Sequence, residues 1–358
     1  MITQNKGEWS ELYVFLKLLG DGTLYAADAN LNKIEDLYYP LIEILRKEDA
    51  QINHYVKNTP NIEVKDNAGN IILKLPMTEF ESKAKLLLDA IKKYDSTFAV
   101  PEIEKFMDII KCKKVKADSA DKSDITLILH DCKTLRDEQF GFSIKSKLGS
   151  ASTLLNSGKT TNFIYQINGN LSDKQIEEIN NTDTRAKIRD RLVKIREYGC
   201  KLNFNGMENE NFKANLQMVD SAFPLIISEY LFQYYSGNGS LISELTPKVR
   251  AINPCKLNTS LPHLYYEHKM KNFLTDIALG MTPAAAWTGE YQATGGYIVV
   301  REDGEILCYH LYNHNEFQEY LFKNTRFDTP SASKYNFGYI YRENGKNYIK
   351  LNLQVRFI

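Results

Sequence analysis

The amino-acid sequence predicts an α/β fold in which helices flank a mixed central sheet. An apolar stripe with helical spacing runs through residues 8–19. Two later segments, residues 124–130 and 141–149, alternate apolar and polar side chains with a period of two, which indicates half-buried strands. A further β-prone segment follows at residues 162–167. Helix, hairpin, two strands, helix and strand in this order indicate an α/β sandwich with its functional side chains at strand edges.

The first predicted helix carries an acidic residue on a partly apolar face. Its apolar stripe consists of Trp9, Leu12, Leu16 and Leu19. Gly20 supplies a stop signal, because glycine readily ends a helix. Glu11 precedes Phe15 by four residues and Leu18 by seven, so it does not lie on a fully solvated face. We therefore keep Glu11 among the candidate functional residues.

The two alternating segments each gather polar residues on one face. These residues are Asp124, Thr126 and His130 in the first segment and Ser143, Lys145 and Lys147 in the second. If the two strands pair, Asp124 and Lys145 can meet on the polar face of one sheet. A metal-binding carboxylate beside a lysine is suited to metal-assisted hydrolysis of phosphodiesters. An exposed ion pair across a hairpin is the alternative interpretation.

Turn and capping signals place the remaining elements. The predicted hairpins turn at residues 65–70, 301–304 and 343–345. Each of these turns combines Gly with Asp or Asn and separates two β-prone runs. Ser152 can cap a short helix that contains Leu154 and Leu155, and Ser172 opens another helix through a capping box with Gln175. Further helical patterns cover residues 81–94, 101–111, 211–235, 264–279 and 315–323.

Length and composition limit the class of protein. The 358 residues suggest one large or two modest domains, and we place the boundary near residue 200. No run of about 18 apolar residues exists, so we expect no membrane span, and the N-terminus lacks a hydrophobic signal segment. The five cysteines show no C-x-x-C spacing, which argues against a zinc site and a disulfide framework. We expect a protein of the reducing cytoplasm.

The formal net charge is zero, which argues against a protein that coats nucleic acid nonspecifically. A local positive cleft is still possible, because basic residues concentrate in three places. These are residues 111–116, the pair Lys145 and Lys147, and residues 185–196. We interpret the third group as a solvated helix face.

The two strand segments resemble the PD-(D/E)xK nuclease superfamily. Its pattern is an Asp on one strand and, on the next, an acidic or polar residue, any residue and Lys. Asp124 and residues 143–145 match these positions. Many members also carry a Glu in a leading helix, often within G-x-x-x-E, and Gly7 and Glu11 fit that pattern.

A closer resemblance, to the HpaII-type restriction endonucleases, covers nearly the whole chain. It is carried by residues 6–13, 141–146, 153–156, 295–297 and 351–357. It implies a bacterial type II restriction enzyme that cuts double-stranded DNA at CCGG after the first C, requires Mg²⁺ and leaves 5′-phosphate ends. A paired cytosine methyltransferase would protect the host DNA. The resemblance also implies a PD-(D/E)xK core in residues 1–200 and an α+β region for recognition or dimerisation in residues 201–358.

The resemblance further implies a role for each matched residue. Asp124, the Ile144 carbonyl and Glu11 would hold Mg²⁺, and Lys145 would position or deprotonate the attacking water. Ser143 departs from the pattern, because Asp or Glu usually stands there and serine is a poor Mg²⁺ ligand. Glu11 is therefore our candidate for the second carboxylate. Less suited are the carboxylates at or in the loop between the strands, which are Asp131, Asp137 and Glu138.

Sequence readout is expected from Arg or Lys side chains, which pair with guanine in the major groove, and from amide side chains. The candidates for DNA contact are Lys147, Arg326, Lys334, Gln354 and Arg356. Each of them alone is also compatible with a phosphate contact, a salt bridge or surface charge. Because CCGG is palindromic, a homodimer with one active site per strand is the expected assembly.

The main alternative is a noncatalytic, sequence-specific DNA-binding protein on a nuclease-like fold. Retention of both Asp124 and Lys145 argues against it. A methyltransferase is disfavoured, because Pro254-Cys255 has no glycine-rich cofactor loop upstream. Four histidines near the C-terminus show no convincing ligand spacing, and we interpret them as structural or surface residues. They are His263, His268, His310 and His314.

Overall fold

A computed structural model describes residues 1–48, 51–116, 123–132 and 134–358. The elements form a mixed α/β structure with helices around a central sheet, as the sequence predicts. The strands are β1 (Thr23–Ala27), β2 (Lys33–Glu48), β3 (Gln51–Asn58), β4 (Asn61–Lys65), β5 (Ile71–Pro76), β6 (Ile125–Asp131), β7 (Arg136–Ser146), β8 (Thr153–Leu155), β9 (Asn162–Asn168), β10 (Lys201–Met207), β11 (Gly296–Val300), β12 (Ile306–His310), β13 (Thr325–Phe327), β14 (Ile340–Glu343), β15 (Lys346–Asn352) and β16 (Val355–Phe357).

The helices lie before, between and after these strands in the chain. The α-helices are α1 (Lys6–Asp21), α2 (Met77–Lys93), α3 (Pro101–Ile109), α4 (Asp173–Asn180), α5 (Lys187–Glu197), α6 (Glu210–Val219), α7 (Phe223–Tyr235), α8 (Ile242–Ile252), α9 (Tyr265–Leu279), α10 (His314–Lys323) and α11 (Ala332–Tyr335). Single 3-10 turns cover Lys159–Thr161 and Leu311–Asn313. In the part of the chain that the structure describes, every helix is too short or too polar to cross a lipid bilayer.

The chain divides into two compact units. Unit 1 comprises Met1–Ser152 and Tyr291–Tyr320, and unit 2 comprises Thr153–Glu290 and Leu321–Ile358. This division does not coincide with the expected boundary near residue 200, because strands from the C-terminal half of the chain complete the sheet of the N-terminal half. The functional roles that we expect for residues 1–200 and 201–358 stay predictions.

Unit 1 is built on one mixed sheet. Among the described residues, its strand order is β1-β12-β11-β7-β6-β2-β3-β4-β5. Strand β7 lies in its interior, antiparallel to β6 and parallel to β11. The hairpins predicted at residues 65–70 and 301–304 are confirmed as β4–β5 and β11–β12. The sheet therefore holds the two sequence-predicted strands β6 and β7 side by side.

Helix α1 is the buried helix of unit 1. Asn5 caps it, since the Asn5 side chain accepts from the Glu8 backbone N–H and Glu8 accepts in return from the Asn5 backbone N–H. Trp9 is fully buried, and its Nε1 donates to the Phe98 carbonyl at 3.0 Å. The helix passes the predicted stop at Gly20 and ends at Asp21, and Gly22, with a φ of 65°, provides the left-handed cap.

Unit 2 combines two small sheets with helices. The described residues form one sheet in the order β10-β9-β15-β14 and another in the order β13-β16-β8. The predicted hairpin at residues 343–345 is confirmed as β14–β15. The predicted helix after Ser152 is wrong, because Thr153–Leu155 pairs with β16 as strand β8. Long-range pairing has overridden the local capping signal there.

His310 illustrates how unit 1 uses an aromatic core. It is fully buried, stacks on Tyr39 and meets Phe140 and Phe142 edge-on. Its Nδ1 accepts from the Tyr312 backbone N–H at 3.2 Å. Burial lowers the pKa of His310 to about 4, although the charge of nearby Asp131 opposes this shift. The structure thus shows a neutral, structural histidine at this position.

The burial of His310 predicts an acid-sensitive stability. The unfolded chain binds a proton at His310 below pH 6.5, whereas the folded chain does so only near pH 4. The free energy of unfolding should therefore fall as the pH drops from 6.5 to 4, by roughly 3 kcal/mol from this residue. Urea unfolding followed by circular dichroism at several pH values measures the effect.

The matched variants for this measurement are His310→Phe and His268→Gln. His310→Phe keeps an aromatic ring but cannot titrate, so its stability should depend less on pH in this range. His268 is exposed and serves as the control, with an expected pH dependence like that of the wild type. Equal slopes in the wild type and His310→Phe would contradict the assignment.

Candidate active site

The pairing of β6 with β7 fixes the position of Asp124. This residue directly precedes β6, and its backbone N–H donates to the Phe142 carbonyl at 2.8 Å. Its carboxylate faces β7, where Oδ2 accepts from the Ile144 backbone N–H at 2.6 Å and from the Ser143 hydroxyl at 3.1 Å. Two donors therefore hold one carboxylate oxygen in a defined place.

Ser143 links this carboxylate to Lys145. The Ser143 hydroxyl donates to Asp124 and accepts from Lys145 Nζ, with both distances 3.1 Å. Ser143 is only 4% exposed, whereas Asp124 and Lys145 are half-buried. The structure thus brings the predicted Asp and Lys together through the serine that stands at the usual acidic position. The serine hydroxyl can do this because it both donates and accepts a hydrogen bond.

Tyr297 also contacts the lysine and was missed by our sequence reasoning. It lies opposite Ser143 in the parallel pairing of β11 with β7, and Lys145 Nζ stands 5.3 Å from its ring centroid. Burial, reinforced by the charge of Asp124, raises the pKa of the Tyr297 phenol. The sequence pointed to Tyr297 only because residues 295–297 are among the segments that carry the family resemblance, and that resemblance assigned Tyr297 no role.

The chain turns tightly before Tyr297. Gly296 has a φ of 104°, a conformation that favours glycine. A Cβ at Gly296 would come within 2.0 Å of the Tyr309 carbonyl oxygen, so no larger residue fits. This glycine lets β11 begin in register with β7 and so places Tyr297 beside Ser143.

Glu11 lies in α1 and lines a cavity of about 390 Å³ together with Ile144 and Lys145. The neighbouring residue Ser10 donates its hydroxyl proton to the Ser146 hydroxyl at 2.8 Å, which ties α1 to the end of β7. The pKa of Lys116 is raised chiefly by its hydrogen bond with Glu8, and the charge of Glu11 adds a smaller contribution. The structure therefore brings Glu11 to the cavity that Lys145 also lines.

The donor set at this place is compatible with Mg²⁺. Asp124, Glu11 and the Ile144 carbonyl all offer oxygen, which is the donor type that Mg²⁺ prefers. Among the described residues, no group of three or more His, Cys, Asp and Glu side chains is arranged to hold a metal ion. Mg²⁺ usually takes one or two carboxylates and keeps several waters.

The other carboxylates considered from the sequence lie elsewhere. Asp131 is at the far end of β6, roughly 20 Å along the strand from Asp124. Asp137 pairs with His130 at 2.7 Å, and Glu138 accepts from the Tyr312 hydroxyl at 3.4 Å. None of these three lines the cavity that contains Glu11.

The predicted DNA-contacting residues fall into both units. Lys147 continues the polar face of Lys145 in unit 1, while its backbone N–H donates to the Val300 carbonyl. In unit 2, Arg326 and Arg356 are cross-strand partners, and Arg356 forms an ion pair with Asp328 at 3.2 Å. Gln354 donates to Ser157 at 3.4 Å, and Lys334 lies exposed on α11.

Comparison with known proteins identifies the family of this chain. The family model described as HpaII restriction endonuclease matches residues 5–357. The chain belongs to the HpaII restriction endonuclease family. A relative, the type II restriction enzyme HpaII of Haemophilus parainfluenzae, is 44% identical over 358 residues, which cover 99% of this chain and 98% of that enzyme. No solved structure matches the chain.

Membership in the HpaII restriction endonuclease family confirms the prediction of a type II site-specific deoxyribonuclease. Such an enzyme binds DNA and hydrolyses its phosphodiester bonds. Restriction endonucleases generally use divalent metal ions, and the oxygen donors around Asp124 are compatible with one. The catalytic roles of individual residues in this chain stay predictions.

The Ser143 bridge predicts a measurable loss when the hydroxyl is removed. Ser143→Ala should lower kcat for DNA cleavage by about 10- to 100-fold, because a hydrogen bond to a charged group contributes about 1.5–3 kcal/mol. DNA affinity, measured with Ca²⁺ in place of Mg²⁺, should stay within about twofold.

Ser228→Ala is the matched control for this prediction. Ser228 is as buried as Ser143 and its hydroxyl donates to the Leu225 carbonyl at 2.7 Å, but it lies in α7 and does not line the cavity that contains Glu11. A kcat of Ser143→Ala equal to that of Ser228→Ala would contradict a role for the bridge.

Proposed function

We propose that this enzyme cuts both strands of DNA at CCGG after the first C, in a Mg²⁺-dependent hydrolysis that leaves 5′-phosphate ends. The observation that carries the proposal is the hydrogen-bonded arrangement of Asp124, Ser143 and Lys145 at the paired ends of β6 and β7. Its residue order and strand positions resemble those of a PD-(D/E)xK core, with serine at the usual acidic position. The CCGG specificity rests on the resemblance to the HpaII-type enzymes and on 44% identity over nearly the full chain.

Each residue of the site has a proposed role that follows from its chemistry. Asp124, Glu11 and the Ile144 carbonyl would hold the cation. When bound, Mg²⁺ supplies Lewis acidity and lowers the pKa of a coordinated water. Ser143 holds the Lys145 ammonium at a fixed distance from Asp124. From there, Lys145 places positive charge where negative charge develops during phosphodiester cleavage and orients the attacking water.

Recognition is assigned to the C-terminal half of the chain. Arg326, Lys334, Gln354 and Arg356 supply the donors that read guanine edges or contact phosphates, and Lys147 contacts a phosphate near the cut. The palindromic site favours a homodimer, in which each protomer cuts one strand. A cytosine methyltransferase would be the functional counterpart in a bacterial cytoplasm.

The test is digestion of a plasmid with several CCGG sites by the wild type, Lys145→Ala and Lys147→Ala. With Mg²⁺, the wild type should give fragments that end at CCGG, and Lys145→Ala should lose activity by at least about 1,000-fold, because it lacks the charge that stabilises the transition state. Lys147→Ala is the comparison variant: it should retain cleavage with weaker DNA binding, because this lysine is assigned to a phosphate contact and not to the transition state.

Further arms of this test separate the possible failures. Chelation of Mg²⁺ or its replacement by Ca²⁺ should abolish cutting while DNA binding persists in Ca²⁺. Glu11→Gln should raise the Mg²⁺ concentration needed for half-maximal cutting, because it removes one of the proposed cation ligands. Equal cutting by the wild type and Lys145→Ala would move the active site elsewhere. A folded wild type that binds CCGG without cutting would point to a noncatalytic DNA-binding protein.

A further inference from the structure

The Lys145 ammonium stands between two groups of different chemistry. The Ser143 hydroxyl accepts a hydrogen bond from Lys145 Nζ at 3.1 Å, and the centroid of the Tyr297 ring lies 5.3 Å from the same nitrogen. Tyr297 is only 2% exposed, and its ring also packs against Phe317. A buried aromatic face attracts a cation through its quadrupole, and this attraction grows when water is excluded.

We propose that Tyr297 is a positioning residue for Lys145, acting through the face of its ring. The parallel pairing of β11 with β7 sets Tyr297 directly opposite Ser143, so the hydroxyl and the ring together orient the ammonium. Burial raises the pKa of the Tyr297 phenol, so the ring contacts the lysine as a neutral phenol. The inference rests on the proposed catalytic role of Lys145.

The test replaces Tyr297 and follows kcat and KM for cleavage of a CCGG duplex. Tyr297→Phe keeps the ring and should retain kcat within about threefold. Tyr297→Leu should lose about 10- to 100-fold in kcat with KM and Ca²⁺-dependent DNA affinity nearly unchanged. Tyr309→Leu is the matched control, because Tyr309 is equally buried on β12 but stacks on Tyr320 rather than under Lys145.

A fluorination series covers the case in which Tyr297→Leu fails to fold. Phenylalanine with zero to three ring fluorines at position 297 preserves shape and weakens the ring quadrupole stepwise, so log kcat should fall with each fluorine. A flat series overturns the inference, as does Tyr297→Phe that is as slow as Tyr297→Leu. Activity of Lys145→Ala would instead overturn the proposed function.

A second, independent observation concerns unit 2. A cavity of about 460 Å³ opens between the start of α5, the end of α7 and residues 329–333. Its charged lining side chains are Arg185, Lys187 and Arg189, and no carboxylate lines it within the described residues. Arg185 and Arg189 are exposed, as expected for a solvated face, and with Lys187 they surround one concave surface.

The carboxylates that pair with these cations lie outside the lining. Asp183 pairs with Lys187 at 3.0 Å, and Asp190 lies 3.4 Å from Arg189 Nε. Such exposed pairs are weak and exchange readily for another anion. The lining also offers hydroxyl donors, among them those of Ser331 and Ser333. Guanidinium groups with nearby hydroxyls are suited to a phosphate, because both donate to its oxygens.

We infer that this cavity holds a phosphate of the DNA backbone. The contact would add affinity without sequence preference, since phosphates carry no base information. The inference rests on the proposed function, because the ligand is part of the DNA substrate. A free phosphate would satisfy the same chemistry, so the experiment distinguishes the two sources.

The test measures DNA affinity in Ca²⁺ as a function of salt for Arg185→Gln/Arg189→Gln. Loss of the contacts to this one phosphate should lower the slope of log Kd against log salt by about 1 and weaken CCGG and non-CCGG duplexes equally. Lys174→Gln/Lys201→Gln removes two exposed lysines that do not line the cavity and should leave the slope unchanged.

The outcomes of this experiment test the inference and distinguish a DNA phosphate from free phosphate. An unchanged slope in Arg185→Gln/Arg189→Gln overturns the inference. Saturable binding of inorganic phosphate that this variant loses, with DNA affinity intact, overturns the DNA source. A wild type that binds no DNA at all overturns the proposed function rather than this assignment alone.

Discussion

The antiparallel pairing of β6 with β7 is the constraint on which the candidate site depends. Where this pairing begins, the Asp124 backbone N–H donates to the Phe142 carbonyl, so the Asp124 carboxylate reaches the next residues of β7. The Ile144 N–H and the Ser143 hydroxyl donate hydrogen bonds to that carboxylate. Sheet pairing and side-chain bonding therefore support each other, and a shift of one residue in register would move Lys145 to the opposite face.

Serine at the usual acidic position changes how the site is assembled. A carboxylate there would bind a cation directly, whereas the Ser143 hydroxyl joins Asp124 to Lys145. Glu11 lines the neighbouring cavity from α1. Its place depends on the burial of Trp9 and on the contact of Ser10 with Ser146, so the packing of α1 against the sheet sets the position of this second carboxylate.

The elements that sequence reasoning predicted well carry local signals. Strands β6 and β7 alternate with a period of two, and the three hairpin turns contain Gly with Asp or Asn. The segment that was wrongly predicted, Thr153–Leu155, carries a misleading local signal. Ser152 suggested a helix, but Thr153–Leu155 pairs with a strand near the C-terminus, and such a distant partner cannot be deduced from local capping.

The sequence by itself determined which residues could perform the chemistry and which strand faces they share, because alternation and side-chain type are local properties. Asp124, Ser143 and Lys145 were identifiable for that reason. Only the tertiary structure decided that β11 lies beside β7 and puts Tyr297 under Lys145, and that Arg185 and Arg189 line a cavity. Those neighbours come from distant parts of the chain, and their contacts depend on how the whole sheet and its helices pack.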